Sequence, residues 1–330
     1  MSSSVESKKI LHPNMHPNSL KTEIVNPSVE SKKILHPDMH SKRLSTENKP
    51  LRIPEWLRRP IQTDKSYAET HSALKKNGLH TVCEDAKCPN RHECWNHGTA
   101  TIMILGNICT RACRFCSIAT GKPIGLDLLE PQRVAVAVEK MGLKHVVITS
   151  VTRDDLSDGG AEIFAQTIEQ VKKRMPSITV EVLTPDFWGR KENLYRVLDA
   201  GPIVFNHNIE TVKRLQRSIR SGATYDRSMK ILRFASEHSD IKVKSGIMLG
   251  LGEDNIEVMQ TIQDLYDNGV RLLTIGQYMS PTKEHAPTHR FVEPHEFVDL
   301  EDAAYAIGFD AVASGPLVRS SYRADKMIKT

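Results

Sequence analysis

The sequence predicts an α/β fold: six strand–helix units building an open (β/α)6 partial TIM barrel, with extensions at both ends. Two observations carry that prediction. Six apolar runs of strand length recur between residues 101 and 279, each reading as a parallel strand buried on both faces. Helix-period stripes lie between several of them, so the units must cross over in the right-handed sense and curl the sheet. Eight units would close a barrel and six leave it open at the side; either way the working face lies at the strand C-termini.

In chain order the strand candidates are TIMIL (101–105), HVVITSV (145–151), TVEVLT (179–184), PIVFNHNI (202–209), KVKSGIMLGL (242–251) and RLLTIGQYM (271–279). Val134, Val138 and Met141 repeat at i, i+4, i+7 behind Pro131, a residue suited to a first helical turn. Ile163, Phe164, Ile168 and Val171 make a second stripe, and Val258, Ile262, Leu265 and Gly269 a third. A final helix is expected from near Pro294 to Gly308, followed by the short segment DAVASGPL. All these stripes are read as core packing.

Four regions follow: a tail over 1–50, an N-terminal segment over 51–98, the partial barrel over 99–290 and a C-terminal segment over 291–330. The tail repeats itself. SVESKKILHPNMH (4–16) returns as SVESKKILHPDMH (28–40), changed only from Asn14 to Asp38. Two polar copies are too few to stack a core, so a local duplication in a disordered, dispensable extension is expected. RIPEWLRRP (52–60) begins the folded part, with Trp56 and Leu57 as apolar anchors.

Composition excludes several classes. Net charge is +5 and aromatic content 5%, which gives no footprint for nucleic acid. No apolar run approaches the ~18 residues that span a bilayer. The chain opens MSSSVESKKI without an apolar leader, and Glu6, Glu23 and Glu30 with a lysine-rich tail do not suit an organelle transit peptide. The expectation is a cytoplasmic enzyme.

All six cysteines lie in one stretch as two triplets: Cys83, Cys88 and Cys94 with spacing C-x4-C-x5-C, and Cys109, Cys113 and Cys116 with spacing C-x3-C-x2-C. Three disulfides are one reading, disfavoured in a chain this long with no secretory leader. A zinc knuckle is another, with His80, His92 or His97 as a fourth ligand. A third reading takes each triplet as the incomplete ligand set of an iron–sulfur cluster, one iron corner being left for another group. The first triplet reads as loop; the second falls just after the first strand, on the working face.

CTRACRFC (109–116) in that position resembles the cluster loop of the radical S-adenosylmethionine superfamily, whose fold is the same open barrel. The resemblance implies a [4Fe–4S] cluster on Cys109, Cys113 and Cys116, its fourth iron chelated by S-adenosylmethionine. It implies that Phe115 lies against the adenine and that Ser157-Asp158-Gly159-Gly160 receives the methionine amino group, with Gly159 and Gly160 as the contacts.

CEDAKCPNRHECW (83–95) resembles the auxiliary-cluster motif of the lipoyl synthase family. So do ATIMILGNICTRACRFC, TSVTRDDLSDGGA, FNHNIETV, KSGIMLGLGE, IGQYMSPT and GPLVRSSYRA; the resemblance runs from about residue 50 to the C-terminus. It implies a second [4Fe–4S] cluster on Cys83, Cys88 and Cys94, with its last iron held by a serine of Arg319-Ser320-Ser321-Tyr322. Ser321 is the assigned ligand and Ser320 the fallback. The implied reaction inserts two sulfur atoms at C6 and C8 of an octanoyl chain carried on a protein lysine. S-adenosylmethionine cleaved by one electron gives a radical that removes hydrogen, and the second cluster is consumed as sulfur donor. The implied partners are octanoylated lipoyl carrier proteins, such as the glycine cleavage H protein and the E2 subunits of 2-oxoacid dehydrogenases, and an electron donor.

Glu181 and Asn206, read at the ends of strands three and four, are nucleoside-contact candidates, while Lys244, Arg217 or Arg220 are candidates to neutralise carboxylate or carrier charge. Gly250-Leu251-Gly252 lacks the third glycine of a dinucleotide fingerprint, so no nicotinamide site is expected. A two-cluster electron carrier and a zinc-knuckle interaction module are the other function classes. Among enzymes, a biotin-synthase-like activity explains neither the first triplet nor the terminal RSSY.

Overall fold

The computed structural model describes residues 52–58 and 71–328, apart from positions 73, 77, 86–87, 97–99 and 239. The tail and its duplication lie outside the described residues, as does His97. One eight-stranded sheet follows chain order: β1 (His80–Thr81), β2 (Thr101–Ile104), β3 (His145–Ser150), β4 (Thr179–Leu183), β5 (Val204–Asn206), β6 (Lys242–Leu249), β7 (Leu272–Gln277) and β8 (Ala311–Gly315). Strands β2 to β7 are the six expected from sequence, and all pair in parallel. The edges differ from expectation. DAVASGPL supplies a seventh parallel strand, β8, and β1 adds an antiparallel edge to β2.

The alternation along each strand sorts the residues into two environments. Ile102, Ile104, Val146, Ile148, Val180, Val182, Phe205, Val243, Leu273 and Ile275 belong to the main core beneath the helices. The other face turns into the barrel, where Thr101, Met103, Thr149, Leu183, Gly246, Met248, Thr274 and Gly276 line a cavity. Gly246 is required there: a Cβ would stand 2.6 Å from Thr274 Oγ1 and 2.9 Å from Asn208 Oδ1.

The helices include α1 (Val82–Asp85), α2 (Arg91–Asn96), α3 (Glu130–Lys140), α4 (Ala161–Arg174), α5 (Lys191–Asp199), α6 (Tyr225–His238), α7 (Asn255–Asp267) and α8 (Pro294–Ile307). The three stripes read from sequence fall on α3, α4 and α7, with two end corrections. Met141 caps α3, and Gly269 lies beyond α7 in a left-handed turn at φ 85°. Asp254 and Glu257 close a capping box at the start of α7, satisfying backbone donors that the first turn leaves without partners. Leu57 is buried, whereas Trp56 is 37% exposed among the described residues. The first triplet is also more ordered than a loop. Cys83 sits in α1, Cys94 in α2, and Cys88 between them donates its N–H to the Cys83 carbonyl at 3.2 Å.

Among the described residues no helix is long and apolar enough to cross a membrane.

Candidate active site

At the C-terminal ends of the strands lies a cavity of about 570 Å³. Cys109, Cys113 and Cys116 line it from the loop after β2; Cys83 and Cys88 line it from the N-terminal segment; Ser320 and Ser321 line it from the segment after β8. A smaller pocket of about 40 Å³ is bordered by Cys83, Cys88, Cys94, Arg319 and Ser321. Both triplets therefore border one cavity, and Ser321 borders both spaces.

The second triplet is held by backbone. Ile108–Cys109 pairs in parallel with Ala119–Thr120, and Gly121 N–H donates to the Cys109 carbonyl at 3.0 Å. The N–H groups of Arg111 and Thr152 both point at Cys109 Sγ at 3.4 Å. Arg111 then locks the loop to two neighbours. It grips Asp154 at 2.7 and 2.9 Å and Asp186 at 2.7 Å, and Arg227 closes on the other oxygen of Asp186 at 2.7 Å. Burial works against a charged Asp186, but the Arg111 hydrogen bond and charge prevail and hold its carboxyl at about 2. Trp188 is flanked by both guanidinium groups, 4.9 Å from that of Arg111 and 5.0 Å from that of Arg227.

Five of the thiols are made poor acids by their surroundings. Burial, reinforced by neighbouring cysteines, pushes Cys83 to about 11 and both Cys94 and Cys116 to about 12; burial also raises Cys88 and Cys113. Neighbouring thiols sunk this way become thiolates together only against a strong positive charge, which iron supplies. Among the described residues no three His, Cys, Asp or Glu side chains converge on one ion position. Three thiols from each segment, each able to hold a different iron, are the kind of donor set a multinuclear cluster takes. The donor set fits two iron–sulfur clusters.

Other sequence candidates divide. Phe115 lines the cavity and packs with Ile219, Leu251, Tyr278 and Ala286. Arg220 also lines it, donating to Ser228 Oγ at 3.0 Å, whereas Arg217 is exposed on the surface. Gly159 and Gly160 are not among the cavity-lining residues. Their positive φ angles, 63° and 90°, form the turn into α4, where Gly160 N–H donates to Asp158 at 2.9 Å and a Cβ would strike Leu105. Glu181 and Asn206 do not reach the cavity either. Lys244 Nζ and Asn206 Nδ2 donate to Glu181 Oε1 at 2.9 and 3.2 Å, in a layer below the cavity floor. Burying a carboxylate demands such partners, and here they consume the groups read as nucleoside contacts. His80 stands 3.9 Å from Asp85 and borders neither space.

The sequence reading passed over several cavity residues: Arg111, Asp186, His207, Asn208 and Glu210. Asn208 donates to Glu210 Oε1 at 3.2 Å and to Ser320 Oγ at 2.6 Å. Burial raises the Glu210 carboxyl despite Arg220, and its backbone takes the left-handed φ of 67° that a glutamate rarely adopts. The available signal was FNHN itself, three polar groups packed around a strand end.

The family model for the radical SAM superfamily matches residues 103–265, and that for the N-terminal domain of lipoyl synthase of the radical SAM family matches residues 6–88. The second match begins inside the duplicated segment, earlier than the resemblance read from the motifs. Lipoyl synthase of Halalkalibacterium halodurans is 51% identical over 280 residues, covering 84% of this chain and 92% of that protein. Lipoyl synthase of Shouchella clausii is 51% identical over 280 residues, with 84% and 91% covered. Among solved structures, Streptococcus suis SuiB bound to S-adenosylmethionine superposes with a TM-score of 0.51 at 12% identity, over 68% of this chain and 54% of that one, a likeness of fold alone.

Proposed function

We propose, from the premise that this chain belongs to the lipoyl synthase family of radical S-adenosylmethionine enzymes, that its two cysteine triplets divide one sulfur-insertion reaction between them. The activity is that of a lipoyl synthase, acting on lipoyl carrier proteins and using S-adenosylmethionine and [4Fe–4S] clusters. In our reading the substrate is an octanoyl chain on a carrier lysine, and the carriers include the glycine cleavage H protein and E2 subunits, with a separate protein as electron donor. The C–H bonds to be replaced are unactivated, so no side-chain acid or base can ionise them and a cofactor must supply the step. When bound, the clusters and S-adenosylmethionine supply one-electron cleavage to an alkyl radical and sulfide for the carbon it activates.

The chain's own residues position these parts. Cys109, Cys113 and Cys116 would hold the radical-generating cluster, with Phe115 lining the space beside it. Cys83, Cys88, Cys94 and Ser321 would hold the sulfur source. Ser321 is the assigned serine because it borders the pocket of the first triplet, while Ser320 is engaged by Asn208. Arg111, locked to Asp154 and Asp186, fixes the loop that presents Cys109. Residues 1–50 would lie outside the catalytic body, residues 51–98 would carry the auxiliary site, 99–290 the barrel and 291–330 the serine. The single observation that supports this division is the shared cavity between the triplets.

The test is anaerobic reconstitution of the full chain with iron, sulfide, S-adenosylmethionine, dithionite and an octanoyl-lysine peptide, followed by mass spectrometry. Addition of two sulfur atoms to the peptide is expected. Formation of 5′-deoxyadenosine with no sulfur in the peptide would overturn the proposed substrate.

A further inference from the structure

Ser321 reaches the first triplet from the far end of the chain, so something must hold the two segments together. Several contacts do. Asn90, two residues after Cys88, donates through Nδ2 to the Leu317 carbonyl at 2.6 Å. Glu93, adjacent to Cys94 on α2, accepts through the single oxygen Oε1 from Tyr322 Oη at 2.8 Å and from Arg323 Nη2 at 2.9 Å. The partners flank Ser321: Leu317 lies before it, Tyr322 and Arg323 after it. The C-terminal segment also crosses Gly276 so closely that a Cβ there would strike the Val318 carbonyl. Arg323 takes the left-handed φ of 50°, which costs an arginine energy that its contacts must offset.

We propose that Glu93 is a positioning residue, whose carboxylate clasps Tyr322 and Arg323 and thereby keeps Ser321 beside Cys83, Cys88 and Cys94. The inference rests on the reading of Ser321 as a cluster ligand. One carboxylate coupled to both the helix of Cys94 and the residues following Ser321 makes the serine's distance to the triplet depend on a contact that touches neither metal nor substrate. A charge-assisted bond to a part-buried carboxylate is the stronger kind of hydrogen bond, so its loss is measurable.

Four full-length proteins test this: wild type, Glu93→Ala, Tyr322→Phe and Ser321→Ala, each reconstituted anaerobically. Tyr322→Phe removes one hydroxyl and keeps the helix intact if Glu93→Ala folds poorly. Four readouts are taken: tryptic cutting after Arg323, the rate at which a chelator strips iron, the Mössbauer spectrum of the iron, and 5′-deoxyadenosine formation. For Glu93→Ala, cutting and iron loss about tenfold faster than wild type are expected, with Tyr322→Phe between them and 5′-deoxyadenosine formation kept. Faster cutting with wild-type iron retention and spectrum would overturn the positioning role, leaving a merely structural clasp. Wild-type behaviour of Glu93→Ala beside iron loss in Ser321→Ala would overturn the clasp but not the ligand. A wild-type spectrum and iron retention in Ser321→Ala would overturn the ligand reading and the inference with it.

Discussion

Lys244 donates to Glu181 across 2.9 Å inside the barrel, with both side chains sealed from water. Removing one partner strands the other as a buried charge. Lys244→Met alone is expected to destabilise the fold by about 3–5 kcal/mol, while Lys244→Met with Glu181→Gln costs less. Urea midpoints of the single and double variants decide this. A single variant as stable as the wild type would show that water reaches the pair.

The second triplet should control radical formation. Alanine at Cys109, Cys113 or Cys116 is expected to reduce 5′-deoxyadenosine formation by at least about a thousandfold, since the cluster proposed to bind and cleave S-adenosylmethionine loses one of its three protein ligands. Chromatography of the nucleoside products measures it, and substantial residual cleavage would contradict the assignment.

The first triplet should act later. Alanine at Cys83, Cys88 or Cys94 is expected to leave 5′-deoxyadenosine formation measurable while sulfur in the octanoyl peptide vanishes. Sulfur insertion at the wild-type level would rule out the donor role.

His207 predicts a pH dependence. Its Nδ1–H donates to the Thr184 carbonyl at 2.9 Å, Nε2 accepts from the Ser228 hydroxyl at 2.9 Å, and burial foremost lowers its pKa to about 4. The unfolded chain binds this proton near the ordinary histidine value of about 6.5, so acid favours unfolding. Stability is therefore expected to fall by roughly 2–3 kcal/mol as pH drops from about 6.5 to 4. Denaturant titrations across that range test it: His207→Gln should flatten the slope, and an unchanged slope would assign the effect elsewhere.

Deleting residues 1–45 is expected to leave sulfur insertion within about twofold of wild type, because all six cysteines and Ser321 lie beyond residue 80. Loss of activity on truncation would give the duplicated segment a catalytic role.

The barrel was legible because burial on both faces writes continuous apolar runs into β2 to β7, and each run became a strand. β8 was not, since Ala311, Ala313 and Gly315 carry little hydrophobic signal and gain their place by pairing with β7. α6 was missed because Ser228 and Ala235 interrupt its buried stripe with small residues that pack closely. Within the site, cysteine spacing pointed to both triplets. Glu181 and Asn206 differ from the cavity-lining residues in depth. Alternation tells which residues enter the barrel, but only the register with Lys244 tells which layer they occupy. Asn90 and Glu93 gave no signal in the sequence, since their partners lie 227 to 230 residues away.

The smaller pocket takes lining residues from both 83–94 and 319–325, so neither segment makes it alone. A fragment that lacks residues 319–325 keeps all six cysteines yet loses the wall facing three of them.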